Sequence, residues 1–152
     1  MQIPQDLIYF FRHQNFTIVS TIGKDGGVHN SCKGIVRIDQ DGRIYLLDLY
    51  KARTFANLKQ NPHISITAVD EHKFKGYCLK GIAKIEEVDD SDPDLVKEWE
   101  QKILSRITQR VLRNMKEEKG HLRHPESQFP KPAYLIVMEV DSVVDLTPTA
   151  IK

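Results

Sequence analysis

The sequence of 152 residues lacks the features that mark several large classes of protein. Its two cysteines, Cys32 and Cys78, lie far apart and fit neither a disulfide framework nor a zinc-binding spacing. We therefore expect two buried thiols in a reducing compartment. No apolar run approaches the roughly 20 residues that span a bilayer. The N-terminal MQIPQDLIYFF has neither the basic region nor the small-residue cleavage site of a signal peptide. These absences predict a cytoplasmic protein without a membrane partner.

The charge of the chain shows no excess of either sign. The sequence has 22 Lys and Arg residues against 21 Asp and Glu residues, a net charge of +1. This balance gives no reason to expect a nucleic acid partner. The six histidines show no metal-ligand spacing, so no metal site is expected. The length and the apolar fraction of 40% predict a single domain over residues 1–152.

Apolar, β-branched runs separated by glycine-containing turns predict five or six strands. They are residues 16–22, 28–38, 43–49, 63–69, 76–88 and 133–140, with residues 142–146 as a continuation of the sheet. Helices are predicted at residues 4–14, 52–59 and 91–118, and a loop at residues 121–132. Most strands are joined by hairpin turns. The pattern therefore predicts a mainly β protein with peripheral α-helices, whose antiparallel sheet curls into a small barrel.

The predicted helix at residues 91–118 carries a long apolar stripe. Ser91 is expected to cap this helix and Gly120 to end it. Apolar residues recur at every fourth position from Leu95 through Trp99 to Met115. We interpret Trp99 either as a core residue or as a contact with a partner chain. A stripe wider than a small barrel can cover would also support a dimer.

Basic residues stand where the short helix of residues 52–59 begins. Lys51, Arg53 and Thr54 precede or open this helix, although the partial positive charge of a helix N-terminus favours acidic residues there. Free backbone N–H groups, an arginine fork and a hydroxyl would together cradle a phosphate. The alternative interpretation is a solvated basic turn, and spacing alone does not separate the two.

A polar run, HNSCKG, opens the predicted strand at residues 28–38. Strand alternation places two sets of side chains on opposite faces: His29, Ser31 and Lys33 on one, and Asn30, Cys32 and Gly34 on the other. A glycine within a strand, such as Gly34 or Gly81, marks either a bulge or the close approach of a ligand. The run indicates either a ligand-facing strand or an edge strand with a solvated face.

Three segments in order give the chain a resemblance to a known family. They are VSTIGKDGGVHNSCKGIVRI, GRIYLLDLYKARTFANLKQNPHISI and GYCLKGIAKI, followed by AYLIVMEV as a closing strand. Together they resemble the FMN-binding split-barrel family, which is related to pyridoxamine phosphate oxidase. The resemblance implies a six-stranded antiparallel split β-barrel. It also implies a homodimer that holds FMN at two sites in the subunit interface.

The resemblance also implies which residues bind the cofactor. In the family, one strand runs beside the isoalloxazine ring and the ribityl chain. The third strand and the turn after it hold the phosphate. On this chain the implied ring-side residues are Asn30, Ser31, Cys32, Lys33 and Gly34. The implied phosphate-side residues are Leu47, Asp48, Lys51, Arg53 and Thr54.

The implied activity is that of an FMN-dependent oxidoreductase, with NADH or NADPH as a donor in a flavin-reductase reaction. The C-terminal DSVVDLTPTAIK lacks the Arg-x-His pair with which the oxidase itself binds substrate phosphate, so pyridoxamine phosphate oxidase activity is not expected. An electron carrier or redox sensor without its own substrate is the alternative from another class. A barrel that binds haem, through His121 or His124, or a deazaflavin is a third. No catalytic residue is assigned, and His29 and His63 are general acid or base candidates by type only.

Overall fold

The computed structural model describes residues 1–90, 92–116 and 130–152. Its helices are α1 (Gln5–Arg12), α2 (Arg53–Gln60) and α3 (Pro93–Lys116), with a short 3₁₀ turn at Val88–Asp90. Its strands are β1 (Thr17–Ile22), β2 (Val28–Lys33), β3 (Arg37–Ile38), β4 (Arg43–Asp48), β5 (His63–Asp70), β6 (Lys75–Glu86) and β7 (Tyr134–Asp145). The predicted mainly β architecture with peripheral helices is confirmed.

The strands form one antiparallel sheet in the order β2-β1-β5-β6-β7-β4-β3. Laid flat, seven strands would separate β2 from β3 by about 29 Å, at about 4.8 Å between neighbours. The chain between Lys33 and Arg37 spans at most about 14 Å. The sheet must therefore curl until its two edges come close, which produces a barrel that is split between β2 and β3.

The sheet has seven strands, not the six that were predicted, because the predicted strand at residues 28–38 is broken. Residues 34–36 leave the ladder between β2 and β3. Within this break the Ile35 carbonyl accepts a hydrogen bond from Lys102 Nζ at 2.5 Å. The Val36 N–H donates to the Tyr45 carbonyl at 2.8 Å. A side chain of α3 thus satisfies a backbone group that a continuous strand would pair with its neighbour.

Gly81 marks a bulge, which is one of the two interpretations of this glycine that the sequence allowed. The register of β6 against β7 shifts between Lys80 and Gly81. A Cβ atom built on Gly81 would lie 1.9 Å from the Glu139 carbonyl oxygen, a distance at which no side chain fits. The close approach at this glycine is that of the neighbouring strand.

The main core fills the barrel beneath α1. Leu7, Ile8 and Phe11 of α1 belong to one cluster with buried residues of the strands, among them Tyr134. A second, smaller cluster lies on the other side of β4 and contains Val36, Leu47, Leu95 and Leu135. Trp99 packs against this second cluster, so α3 is attached to the barrel by its N-terminal half.

Helix α3 is capped by Asp92, which the sequence prediction did not name. The Asp94 N–H donates to Asp92 Oδ1 at 2.9 Å, an N-cap bond immediately before Pro93 opens the helix. The predicted cap Ser91 and the predicted end Gly120 lie outside the described residues. Of the predicted loop, only residues 130–132 are described.

The apolar stripe of α3 is buried only at its beginning. Leu95 is 1% exposed, but Leu104 is 64%, Val111 40% and Leu112 55% exposed. Beyond Trp99 the described part of the helix therefore leaves much of its apolar surface uncovered within its own chain.

The cysteines are less buried than expected. Cys32 is exposed and Cys78 is partly exposed. Both lie on the outward face of the sheet, where Cys32 pairs with Ile18 and Cys78 with Thr67. The prediction of two buried thiols was wrong because the polar half of β2 turns this face to solvent.

Within the described residues, no helix is long and apolar enough to cross a membrane.

Candidate functional site

The split in the barrel is bridged by a charged side-chain cluster. Lys33 at the end of β2 donates from Nζ to Asp48 Oδ2 of β4 at 2.7 Å. The Tyr134 hydroxyl donates to the same oxygen at 2.5 Å, and the Leu49 N–H donates to Asp48 Oδ1 at 2.9 Å. The Lys33 and Asp48 side chains are only 10% and 13% exposed. Burial, together with the bond to Asp48, raises the pKa of Tyr134 and keeps its hydroxyl protonated.

Helix α2 begins beside this cluster with its N-terminus uncapped. Its N-cap residue, Ala52, makes no side-chain hydrogen bond, and its first turn has no acidic residue. The Arg53 side chain is exposed and forms no ion pair with the described residues. The first N–H groups of α2 and the guanidinium therefore present positive charge that no carboxylate of the described chain neutralises.

Thr54 connects α2 to β2. Its Oγ1 is 3.3 Å from Ser31 Oγ, and its side chain is buried. Asn57 secures the same helix, since its Nδ2 donates to Thr21 Oγ1 of β1 at 3.1 Å. Ser31 and Lys33 are two residues apart on one face of β2, a spacing of about 7 Å. The α2 N-terminus and the Lys33–Asp48 pair are thus neighbours.

Lys51 lies between Glu87 and the first turn of α2. Its Nζ lies 3.8 Å from Glu87 Oε1 and 5.4 Å from the centre of the Phe55 ring. The pair is exposed, so it constrains Lys51 only weakly. Of the two cations that the sequence analysis placed at the phosphate side, Arg53 is the one that has no acidic neighbour among the described residues.

A cleft of about 120 Å³ opens between the split and α3. Of the predicted residues it is lined by Cys32, Lys33, Gly34, Leu47 and Asp48. Ser31 precedes the lining residue Cys32 on β2, and Thr54 contacts Ser31, so both lie beside the cleft. Asn30 is not among the lining residues, and its Oδ1 accepts a hydrogen bond from Ser20 Oγ at 2.6 Å.

The far wall of the cleft was missed by the sequence analysis. It consists of Phe16 and of Trp99, Lys102 and Arg106 from α3. Arg106 Nη2 donates to the Asn15 carbonyl at 2.5 Å, and its guanidinium stacks over the Phe16 ring at 4.8 Å. The recurrence of Lys or Arg at every fourth position from 102 to 110 was a usable signal, because such cations share one helix face.

Arg106 also explains the close approach at Gly34. A Cβ atom at Gly34 would lie 2.9 Å from Arg106 Nη2, the flexible end of a long side chain. The glycine therefore lets the guanidinium rest against the backbone at the end of β2.

Among the described residues, no group of three or more histidine, cysteine or acidic side chains is placed to hold a metal ion. His121 and His124, the ligands in the haem alternative, lie outside the described residues.

The sequence profile of the family described as pyridoxamine 5'-phosphate oxidase matches residues 3–141. The matched region includes the whole split and both helices that flank it. The chain belongs to this family. No curated protein sequence matches the chain.

Solved structures of low sequence identity share the fold of this pyridoxamine 5'-phosphate oxidase family member. HupZ of Group A Streptococcus is 18% identical, with a TM-score of 0.68 over 95% of this chain and 94% of that one. General stress protein 26 of Bacillus anthracis is 15% identical, with a TM-score of 0.57 over 95% and 93% of the two chains. An F420 reductase is 13% identical, with a TM-score of 0.62 over 93% and 98%.

Proposed function

We propose that the protein is an FMN-binding oxidoreductase whose flavin lies along the split and whose flavin phosphate binds at the N-terminus of α2. The observation that carries the proposal is the uncapped start of α2 beside the cleft. Bare N–H groups, the exposed Arg53 and the Thr54–Ser31 hydroxyl pair offer the donors that a phosphate monoester requires. Family membership supports the same assignment.

The cleft supports the ring-side assignment of β2. Lys33, Gly34 and Leu47 line it, together with the Arg106 guanidinium that rests against Gly34. FMN bound there would supply the electron-transfer chemistry. Lys33 would be held in place by Asp48, so the charge near the ligand is fixed while the pair stays neutral overall. A nicotinamide as donor would make the reaction that of a flavin reductase.

A second copy of the chain would complete the site. The cleft of about 120 Å³ is smaller than the roughly 300–1,000 Å³ typical of cofactor sites. The outward sheet face ends at the same strand and carries a row of partly exposed residues in register: Cys32, Ile18, Thr67, Cys78 and Val144. A homodimer formed through this face would bring a second chain to the open side of the cleft and bury the row.

Titration of the protein with FMN and with riboflavin, which lacks the phosphate, tests the proposal. Flavin fluorescence reports both binding reactions. We expect FMN to bind at least about tenfold more tightly than riboflavin, because the phosphate forms charge-assisted hydrogen bonds. Equal affinities would contradict the phosphate site at α2. No binding of either would contradict the flavin itself, and a deazaflavin cofactor would then be titrated in the same way.

Turnover separates an enzyme from an electron carrier. A flavin reductase oxidises NADH or NADPH continuously in air when FMN is bound. An electron carrier with the same flavin does not, since it needs a protein donor. The expected result is continuous oxidation.

A further inference from the structure

We propose that a groove between α1 and α3 is a second binding site, which takes a small organic molecule through a phosphate or carboxylate group. The groove has a volume of about 390 Å³ and lies next to the flavin cleft, across residues 35 and 36. Its charged and polar lining includes Arg12, Arg37, Glu98, Lys102 and Ser105. The inference does not depend on the flavin.

The acid in this groove is already neutralised. Arg37 holds both oxygens of Glu98, from Nε at 3.1 Å and from Nη2 at 3.0 Å, and it also reaches Asp92 at 3.3 Å. A bidentate pair of this kind fixes both partners. Glu98 is therefore committed to Arg37, and Arg12 and Lys102 have no ion pair with a described acidic residue.

Lys102 is the residue that points to a missing anion. Its side chain is partly buried, and its ammonium group donates to the neutral carbonyl of Ile35, with the cations Arg12 and Arg106 nearby. Burial lowers the pKa of Lys102, and so do Arg106 and Arg12, against a partial opposing effect of Glu98. A buried cation among like charges is costly to the fold. Such sites are commonly functional, because a ligand supplies the opposite charge.

The shape of the groove indicates what else the ligand carries. Ile35, Val36 and Ile38 form an apolar floor and are each at least 93% buried, so they are fixed in place. Ser105 and Gln101 stand on the α3 side and can donate hydrogen bonds. The volume falls in the range of small-molecule sites. The ligand class is therefore a phosphomonoester or organic acid with a compact apolar body.

The experiment uses the Arg53→Ala variant as host, because this change weakens the phosphate site proposed at α2. Inorganic phosphate, and separately succinate, is titrated into the ¹⁵N-labelled protein at constant ionic strength. We expect saturable shifts of the amide signals of residues 101, 102 and 105, weakened about tenfold or more by Lys102→Met and by Arg12→Gln. Lys97→Gln, an exposed cation on the same helix, is the matched control and leaves binding unchanged. The anion that binds more tightly identifies phosphate or carboxylate as the ligand group.

Thermal unfolding separates a binding role from a structural one. Without phosphate, Lys102→Met should change the unfolding temperature of the host only modestly, because the loss of the hydrogen bond to the Ile35 carbonyl opposes the removal of a partly buried, unpaired charge. Phosphate should raise the unfolding temperature of the host but not of Lys102→Met. The proposal is overturned if phosphate binds equally to host and Lys102→Met. It is also overturned if no saturable shift occurs at these residues.

Discussion

The two helices that flank the split carry their cations in opposite ways. On α2, Arg53 is exposed and has no ion pair within the described chain, at a helix N-terminus without an acid. On α3, Lys102 and Arg106 are partly buried and donate to the backbone carbonyls of Ile35 and Asn15. The first arrangement costs the fold little and leaves the cation available. The second fixes the helix against the barrel at a cost in desolvation.

This difference separates two uses of positive charge at one cleft. An exposed arginine contributes little to stability, so its replacement should lower the affinity for the ligand and leave the free energy of unfolding nearly unchanged. A buried lysine stabilises the fold through its hydrogen bond and destabilises it through the desolvation of its charge. Measurements of stability and of binding in the same variants therefore test the comparison directly.

The largest effect is expected for the buried pair that closes the split. Asp48→Ala leaves the Lys33 ammonium and the Tyr134 hydroxyl without their shared acceptor. We expect a loss of about 3–5 kcal/mol in the free energy of unfolding, measured by urea denaturation. Asp41→Ala, which removes an exposed ion pair with Arg43, is the control and should cost less than about 1 kcal/mol. Equal costs would show that the Lys33–Asp48 pair is effectively solvated.

The next effect concerns the outward sheet face. Ile18→Glu places a charge in the row proposed to be buried by a second copy. We expect the free energy of dimerisation to weaken by about 3 kcal/mol, measured by analytical ultracentrifugation across protein concentrations. Tyr9→Glu on the exposed side of α1 is the control. A dimer that persists unchanged in Ile18→Glu would assign the interface to another surface, such as the exposed stripe of α3.

Arg53→Ala tests the exposed cation. It should weaken FMN binding by about 1.5–3 kcal/mol, the scale of a charge-assisted hydrogen bond, and leave the unfolding temperature unchanged. The control is Lys59→Ala in the last turn of α2, which should leave the FMN affinity as it is. An unchanged dissociation constant for Arg53→Ala would refute its phosphate role. Lower stability would mean that Arg53 is a structural cation like those of α3.

The smallest effect is the pH dependence of Lys102. The pKa of Lys102 is lowered in the folded protein, whereas the unfolded chain has the ordinary value of 10.5. At a pH between these two pKa values, the unfolded chain still holds a proton that the folded chain has released. Stability relative to Lys102→Met should therefore rise with pH toward this value. The charged groups that act on Lys102 are Arg12, Arg106 and Glu98. Unfolding in phosphate-free buffer from about pH 8 to about pH 10 checks the sign. A constant difference would contradict the burial of the charge.

The sequence predicted the strands better than the α3 wall of the cleft. Residues 43–49 and 63–69 alternate or run apolar over one continuous strand, so their local pattern suffices. Gly34 marked an irregularity in the strand at residues 28–38, but the hydrogen bond from Lys102 to Ile35 at the break joins residues far apart along the chain, and no local pattern encodes it. Similarly, the family resemblance implied only that Asp48 lies on the phosphate side, and its bonds to Lys33 and Tyr134 are visible only in the structure. Contacts between distant residues decide these points, and periodicity does not report them.

The central claim is that this chain binds FMN at the split as a dimer. It is tested most directly by the visible absorbance spectrum of the purified protein after FMN is added and the excess is removed by gel filtration. The account predicts flavin absorption bands that co-elute with a dimer of the 17.5 kDa chain. A colourless protein that fails to retain FMN would contradict it, and the start of α2 would then be a solvated basic turn.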